Sequence, residues 1–381
     1  MKILILGCGN IGSVAAENLA KNMNSIQIVV ADKDETRAKN VADKVDRRNV
    51  SWIQLNAANH GELVDALKEF ALAMGFLPGK LGYRVAEACI DAEKDLVDVS
   101  YMAENPLTLH HEAMKAGVVI IPDCGLAPGI SNILVGHTVA ELDKVEAAHI
   151  MVGGLPEKPV LPLDYIVTWS PESLIDEYKR KALIVKKGKT VAAEALTGLQ
   201  EVEFPGVGKL EAFYTDGLRT LPNTITGVED MWEKTLRYTG HAEKIRLLKT
   251  LGFFDENQVD VEGVRISPLK VAVKLFEQKL LKPHIRDIVA LRVEVCGIKN
   301  GRKTRYTYHL LDRYDEKRQT TAMARTTSFT ASITAQLILK KAIKEKGVVP
   351  PEKLGMDAEL FSLLLSGLKK QGIKIVEERT D

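Results

Sequence analysis

An α/β domain with a doubly wound parallel sheet, joined to an α+β domain on a largely antiparallel sheet, is what this 381-residue chain predicts. Three observations predict it. An unbroken apolar run, Ile3 to Leu6, leads into Gly7, Gly9 and Gly12, a G-x-G-x-x-G at a strand-to-helix turn. Strand-like and helix-like segments then alternate to about residue 122. Beyond that, period-two strands and an Asn300-Gly301 hairpin signal take over.

The opening turn has a physical logic. Its glycines allow a tight turn, close approach of backbone to a pyrophosphate, and tight packing of helix on strand. The helix that follows, expected over 13–21, points unpaired N–H groups and its positive dipole end at the phosphates. A second strand over 26–31 ends at Asp32, where an acid accepts hydrogen bonds from an adenosine ribose diol. That carboxylate repels a 2′-phosphate and so favours NAD over NADP, while Lys33 and Arg37 soften the repulsion.

Further strands are expected over 51–55, 70–74, 96–99 and 118–121, with helices over 35–45, 60–68, 82–92 and 107–116. Ligand in such a sheet lies outside the carboxyl ends of the strands. The cofactor loops would therefore supply Gly7, Gly9, Asn10, Ile11, Gly12, Asp32, Lys33, Asn56, Phe76, Leu77, Pro78 and Ser100. The structural alternative for Phe76 to Gly79 is a plain Pro-Gly turn.

From Asp123 the order of the chain changes. The loop 123–132 holds a proline and two glycines and leads into a helix over 130–141. Val289, Leu291, Val293 and Val295 share one strand face, and Thr304, Tyr306, Tyr308 and Leu310 share a face of the return strand. Phe329, Ile333 and Leu337 suit an amphipathic helix with lysines at its carboxyl end. Another helix over 357–370 and a strand over 373–377 follow. The expected domains are 1–125 for the dinucleotide, 126–325 for substrate, and 326–381 as helices returning to the first.

Composition limits the function. Fifty-two basic against 51 acidic residues, a net charge of +1, leave no electrostatic footprint for nucleic acid or an anionic membrane. No apolar run reaches the roughly 18 residues of a membrane span. The first strand starts at residue 2, so no leader is expected and the protein should be cytoplasmic. Cys8, Cys89, Cys124 and Cys296 form no C-x-x-C pair, and the histidines form no H-x-x-x-H, so no metal is expected. An edge left by the 288–312 hairpin suggests a homodimer.

Several segments carry a resemblance: VDVSYM at 98–102 with its preceding valine, DCGLAPGISN at 123–132, LDYIVTWSPESLIDEY at 163–178, FYTDGLRTL at 213–221, KTLRYTGHAEKIRLL at 234–248 and MARTT at 323–327. Over its full length the chain resembles the saccharopine dehydrogenase-like family, and within it the shorter lysine 6-dehydrogenase branch. The resemblance implies NAD-dependent oxidation of the ε-carbon of L-lysine to 2-aminoadipate 6-semialdehyde and ammonia. Where saccharopine dehydrogenases proper have an acid before the loop proline and a His at the loop's end, this chain has Ala127 and Asn132. No counterpart of the larger relatives' extra helical domain is expected either. Both departures favour a smaller substrate.

Hydride leaves an amine-bearing carbon only when the amine is neutral, so the site must desolvate it or supply a base. Asp123 and Tyr238 are the candidates to orient or deprotonate it, with His241 as a relay. Their structural alternatives are a loop cap, a core aromatic and a satisfied core histidine. Arg219 and Arg237 on the family motifs, with Arg325 as a third, could hold an α-carboxylate bidentately; interdomain ion pairs are the alternative. Tyr165 and Trp169 could wall the lysine stem. Cys124 as a thioacyl nucleophile lacks an obvious His base, so a packing role is expected. Alternatives of function are a saccharopine or carboxynorspermidine dehydrogenase acting on a secondary amine, and an NAD-binding sensor without turnover.

Overall fold

The computed structural model describes residues 1–281 and 285–381. Two compact units emerge. Unit 1 holds Met1–Asp143, Arg219–Thr224 and Ala324–Lys374, and unit 2 holds Lys144–Leu218, Ile225–Met323 and Ile375–Asp381.

Unit 1 is a parallel sheet of β1 (Lys2–Leu6), β2 (Gln27–Asp32), β3 (Val50–Gln54), β4 (Leu72–Gly75), β5 (Asp95–Asp98) and β6 (Val119–Ile121). The order is 3-2-1-4-5-6, extended past β6 by Gly347–Val348, a seventh strand of only two residues. So short a strand has no periodicity for the sequence to show. Helices α1 (Asn10–Asn22), α2 (Glu35–Val45), α3 (His60–Leu67), α4 (Gly79–Asp91) and α5 (His110–Lys115) alternate with the strands. The core strands are apolar on both faces: Ile3, Leu4, Ile5, Ile28, Val30 and Leu72 are fully buried.

Two boundaries shift for visible reasons. Helix α4 starts at Gly79, before the expected residue 82, because Pro78 presets its entry and Gly79 fits under the Tyr101 carbonyl, where a Cβ would come within 2.1 Å. The helix expected over 107–116 is a 3₁₀ turn, Pro106–Leu109, followed by the six-residue α5.

Helix α6 (Ile130–Glu141) belongs to unit 1, so the division falls at 143/144 and not at the expected 125/126. Glycines explain the attachment. A Cβ on Gly136 would sit 2.0 Å from the Glu352 carbonyl, and one on Gly355 would sit 2.0 Å from the Ile133 carbonyl. Helix Pro351–Met356 thus lies against α6 nearly backbone to backbone. Helix Ala322–Leu339 is buried almost all round and is not the expected amphipathic helix; small residues (Ala331, Ser332, Thr334 and Ala335 are fully buried) let neighbours close on every face.

Unit 2 is a mixed sheet in the order Gln200–Phe204, Gly208–Tyr214, Asp230–Arg237, Lys144–Pro156, Asp287–Lys299, Arg302–Arg313 and Ile375–Thr380. All neighbours on this path are antiparallel except Asp230–Arg237 with Lys144–Pro156. Asn300 and Gly301 both take positive φ, 52° and 74°, as the hairpin signal requires. The expected open edge on this hairpin does not exist. Lys144–Pro156 pairs with one of its strands and Ile375–Thr380 with the other, so the edge expected on the hairpin is taken up within the chain. Helices Pro171–Lys179, His241–Thr250 and Pro268–Leu280 share a core of Tyr165, Leu174, Ile175, Tyr178, Ile245, Phe254 and Phe276.

Candidate active site

The opening glycines divide into two kinds. Gly7 has φ of +100°, and a Cβ there would lie 2.5 Å from the Phe76 carbonyl; one on Gly12 would lie 2.0 Å from the Gly7 carbonyl. These two are glycine because of the turn's own packing. Gly9 is exposed and has nothing within 4 Å of a Cβ, so no packing contact within the chain requires glycine there. It is the N-cap of α1, where no side chain caps the helix. An open backbone cradle at a helix N-terminus fits a pyrophosphate.

Asp32 ends β2, half-buried. The Cys8 amide donates to its Oδ2 at 2.9 Å and the Asp34 amide to its Oδ1 at 3.0 Å. Each carboxylate oxygen keeps acceptor capacity after one such bond, so the group is oriented yet still able to take a ribose diol. Asn10, Lys33 and Asn56 are exposed on the same set of loops, and Ile11, Phe76, Leu77 and Pro78 are partly so. The Phe76 amide donates to the Leu6 carbonyl at 2.8 Å, tying this loop to the end of β1.

At the ends of β5 and β6 lie two acids. Asp123, left-handed at φ 54°, takes the Arg219 Nε on both oxygens at 3.2 Å, and the pair is almost wholly buried. The Arg219 guanidinium also lies 5.5 Å above the Tyr101 ring. Asp123 and Arg219, expected in separate roles, are thus one ion pair. Asp98, not singled out by the sequence, is 1% exposed. Its Oδ2 accepts from both the amide and the hydroxyl of Ser100, while its Oδ1 is buried with no hydrogen-bond partner. Burial raises its pKa to about 7, with Ser100 opposing the rise and Asp123 adding to it. Ser100 is itself buried and spends its hydroxyl on Asp98.

Cys124 is buried, donates to the Thr334 hydroxyl and is pushed up by burial to about 12. Its thiol is a packing group, as expected. Asn132, fully buried, accepts from the Gly129 amide at 3.3 Å and the Ser131 hydroxyl at 3.0 Å, and donates to Glu352 at 3.4 Å. Its amide is absorbed into the framework of unit 1.

In unit 2, Tyr165, Arg237 and His241 do come together, but inside the core. Arg237 donates to Glu177 at 3.2 Å and to the Tyr178 hydroxyl at 3.4 Å, and lies 4.5 Å over the Tyr165 ring. All three expected site residues are at most 3% exposed. His241 accepts at Nε2 from the Tyr178 hydroxyl, leaving Nδ1–H to donate to the Leu163 carbonyl at 2.8 Å. Burial, then the Arg237 charge, hold the imidazole down at about 3, so it is neutral and not placed to relay protons near neutral pH. Tyr238 donates its hydroxyl to the Pro156 carbonyl at 2.9 Å. Sequence reading missed Glu177 and the buried Glu233, whose pKa burial raises well above the usual range. Their only signal was an acid within an otherwise sheltered strand or helix face. Among the described residues no group of three or more His, Cys, Asp or Glu could hold a metal ion. No helix among them is long and apolar enough to cross a membrane.

The family description "Saccharopine dehydrogenase NADP binding domain" matches residues 3–121, and "Saccharopine dehydrogenase C-terminal domain" matches residues 125–373. The chain belongs to the saccharopine dehydrogenase family. An alpha-aminoadipic semialdehyde synthase of Arabidopsis thaliana is 25% identical, covering 99% of this chain and 44% of that protein. The chain therefore spans less than half the length of this relative. The NADP(+), L-glutamate-forming saccharopine dehydrogenase of Schizosaccharomyces pombe is 23% identical over 100% of this chain and 99% of its own. A carboxyaminopropylagmatine dehydrogenase of Synechocystis is 21% identical over 96% of each. The fold of the apo L-Glu-forming saccharopine dehydrogenase from Saccharomyces cerevisiae overlays with a TM-score of 0.80 at 20% identity over both whole chains. Unit 1 thus carries the family's NAD(P)-binding domain.

Proposed function

We propose that this saccharopine dehydrogenase-family member passes a hydride from the carbon bearing the ε-amino group of L-lysine to NAD, and that water hydrolyses the resulting imine to 2-aminoadipate 6-semialdehyde and ammonia. Gly7, Gly9, Gly12 and Asp32 would hold the dinucleotide, which supplies the hydride acceptor. The observation that carries the reading is the loop 123–132: Ala127 offers no acid, and Asn132 spends its amide on Gly129, Ser131 and Glu352. Neither position offers a reacting group to a bulky secondary amine. Asp32 supports NAD, since both of its oxygens are fixed where a 2′-phosphate would approach.

Distance restricts the roles at the β5 and β6 ends. A fully extended lysine separates its ε-nitrogen from its α-carboxylate by about 7–8 Å on ordinary bond lengths. Asp123 and Arg219 touch at 3.2 Å, so the two could not hold opposite ends of one extended lysine. In this reading Asp123 would orient or deprotonate the amine, and Arg219 would orient Asp123 and balance its charge. Arg237, bound to Glu177 in the core of unit 2, stabilises that unit and holds no substrate carboxylate.

Incubation with lysine and NAD tests the reading: reduced nicotinamide and free ammonia should form in equal amounts. A second reading, oxidation of a secondary amine, is favoured by the names of the relatives. It predicts turnover of saccharopine to two amine- or aldehyde-bearing products with no ammonia. Binding of NADH with no turnover of either amine would leave a nucleotide sensor.

A further inference from the structure

Asp98 stands apart from the other buried acids because two glycines make room for it. A Cβ on Gly75, at the end of β4, would lie 2.0 Å from its Oδ1, and one on Gly82, in α4, would lie 1.9 Å from the Ser100 hydroxyl that it binds. Its backbone carbonyl takes the Cys124 amide at 2.8 Å, so Asp98 joins the loop after β5 to the loop after β6. The titratable and charged groups facing it are Asp123, Arg219, Cys89 and Cys124. Burial keeps both thiols protonated, which leaves, among these four groups, two carboxylates and one guanidinium. If both carboxylates ionise, they compete for Arg219 in a buried, low-dielectric region.

We propose that Asp98 is a positioning acid whose proton keeps the Asp123–Arg219 pair intact at the carboxyl ends of β5 and β6, so that dinucleotide binding weakens as that proton is lost. The inference rests on the dinucleotide-binding part of the proposed function. A bound dinucleotide brings two phosphate charges to the same carboxyl ends of the sheet, and their field disfavours a carboxylate at Asp98. Proton and dinucleotide therefore bind cooperatively, and by linkage the affinity falls by up to about tenfold per pH unit above the Asp98 midpoint in the free protein. Asp98→Asn keeps an acceptor for Ser100 and removes the proton equilibrium.

Titration of the whole protein with NADH, and in parallel NADPH, by fluorescence across about pH 5.5 to 9 tests this. Wild type should lose about tenfold in affinity over the alkaline half, while Asp98→Asn should hold the acid-side affinity throughout. Equal pH dependence in both proteins overturns the proposal. Ser100→Ala removes a hydrogen bond that favours the carboxylate, so its midpoint should move to higher pH; an unmoved midpoint also overturns it. If neither nucleotide binds at any pH, the dehydrogenase reading fails separately. Thermal melts then decide for Asp98: the Asp98→Asn advantage over wild type must grow from about pH 5 to about pH 8, and a constant difference refutes the role.

Discussion

Gly9→Ala separates stability from cofactor binding, because the two have different physical origins at this residue. Gly9 has φ −79° and ψ −172°, extended backbone that alanine adopts without strain, and no atom lies within 4 Å of the added methyl. Loss of glycine's unfolded-state freedom favours alanine by about 0.4–1 kcal/mol, and alanine's poorer N-capping of α1 offsets it by a similar amount, so stability should change little. The same methyl would stand between the turn and the diphosphate. Displacing one charge-assisted contact from backbone N–H costs about 1.5–3 kcal/mol, or about 10- to 150-fold in affinity. Differential scanning fluorimetry without nucleotide, together with NADH titration, reads both quantities. A nearly unchanged Tm with strongly weakened NADH binding is expected. A variant that binds NADH like wild type would refute the placement of the diphosphate at Gly9. Gly12→Ala is the contrasting control, since its Cβ would meet the Gly7 carbonyl at 2.0 Å and lower Tm before any ligand is added.

Three other outcomes follow from the same reasoning. Arg237→Met leaves Glu177 buried without its cation and should lower stability by about 3–5 kcal/mol in a denaturant melt, whereas the double variant with Glu177→Met should recover much of the loss. His241, held near 3 in the folded chain against about 6.5 unfolded, takes up its proton only on unfolding. Its contribution to stability is full above about pH 6.5 and is lost as pH falls toward 3, so His241→Gln should flatten the acid limb of a Tm-against-pH curve. Asp32→Ser removes the charge facing the 2′ position and should shift the NADPH-to-NADH affinity ratio upward by about tenfold, measured by parallel titrations; an unchanged ratio would remove Asp32 from the cofactor argument.

What the sequence determined by itself was whatever depends on neighbours along the chain. The apolar run into Gly7, Gly9 and Gly12, the acid ending β2 and the Asn300-Gly301 turn are local, and each took the conformation its residue types require. Tertiary structure alone decided the partners of charged groups. Asp123 and Arg219 are 96 residues apart and Glu177 and Arg237 are 60 apart, so periodicity carries no signal that they meet. The same holds for the closing of the 287–313 hairpin edges and for the two-residue strand Gly347–Val348. Asp98 shows the limit most clearly. A carboxyl at a strand end reads as exposed and ionised until Gly75, Gly82 and Ser100 are seen to fold around it, because desolvation depends on volume filled from elsewhere in the chain.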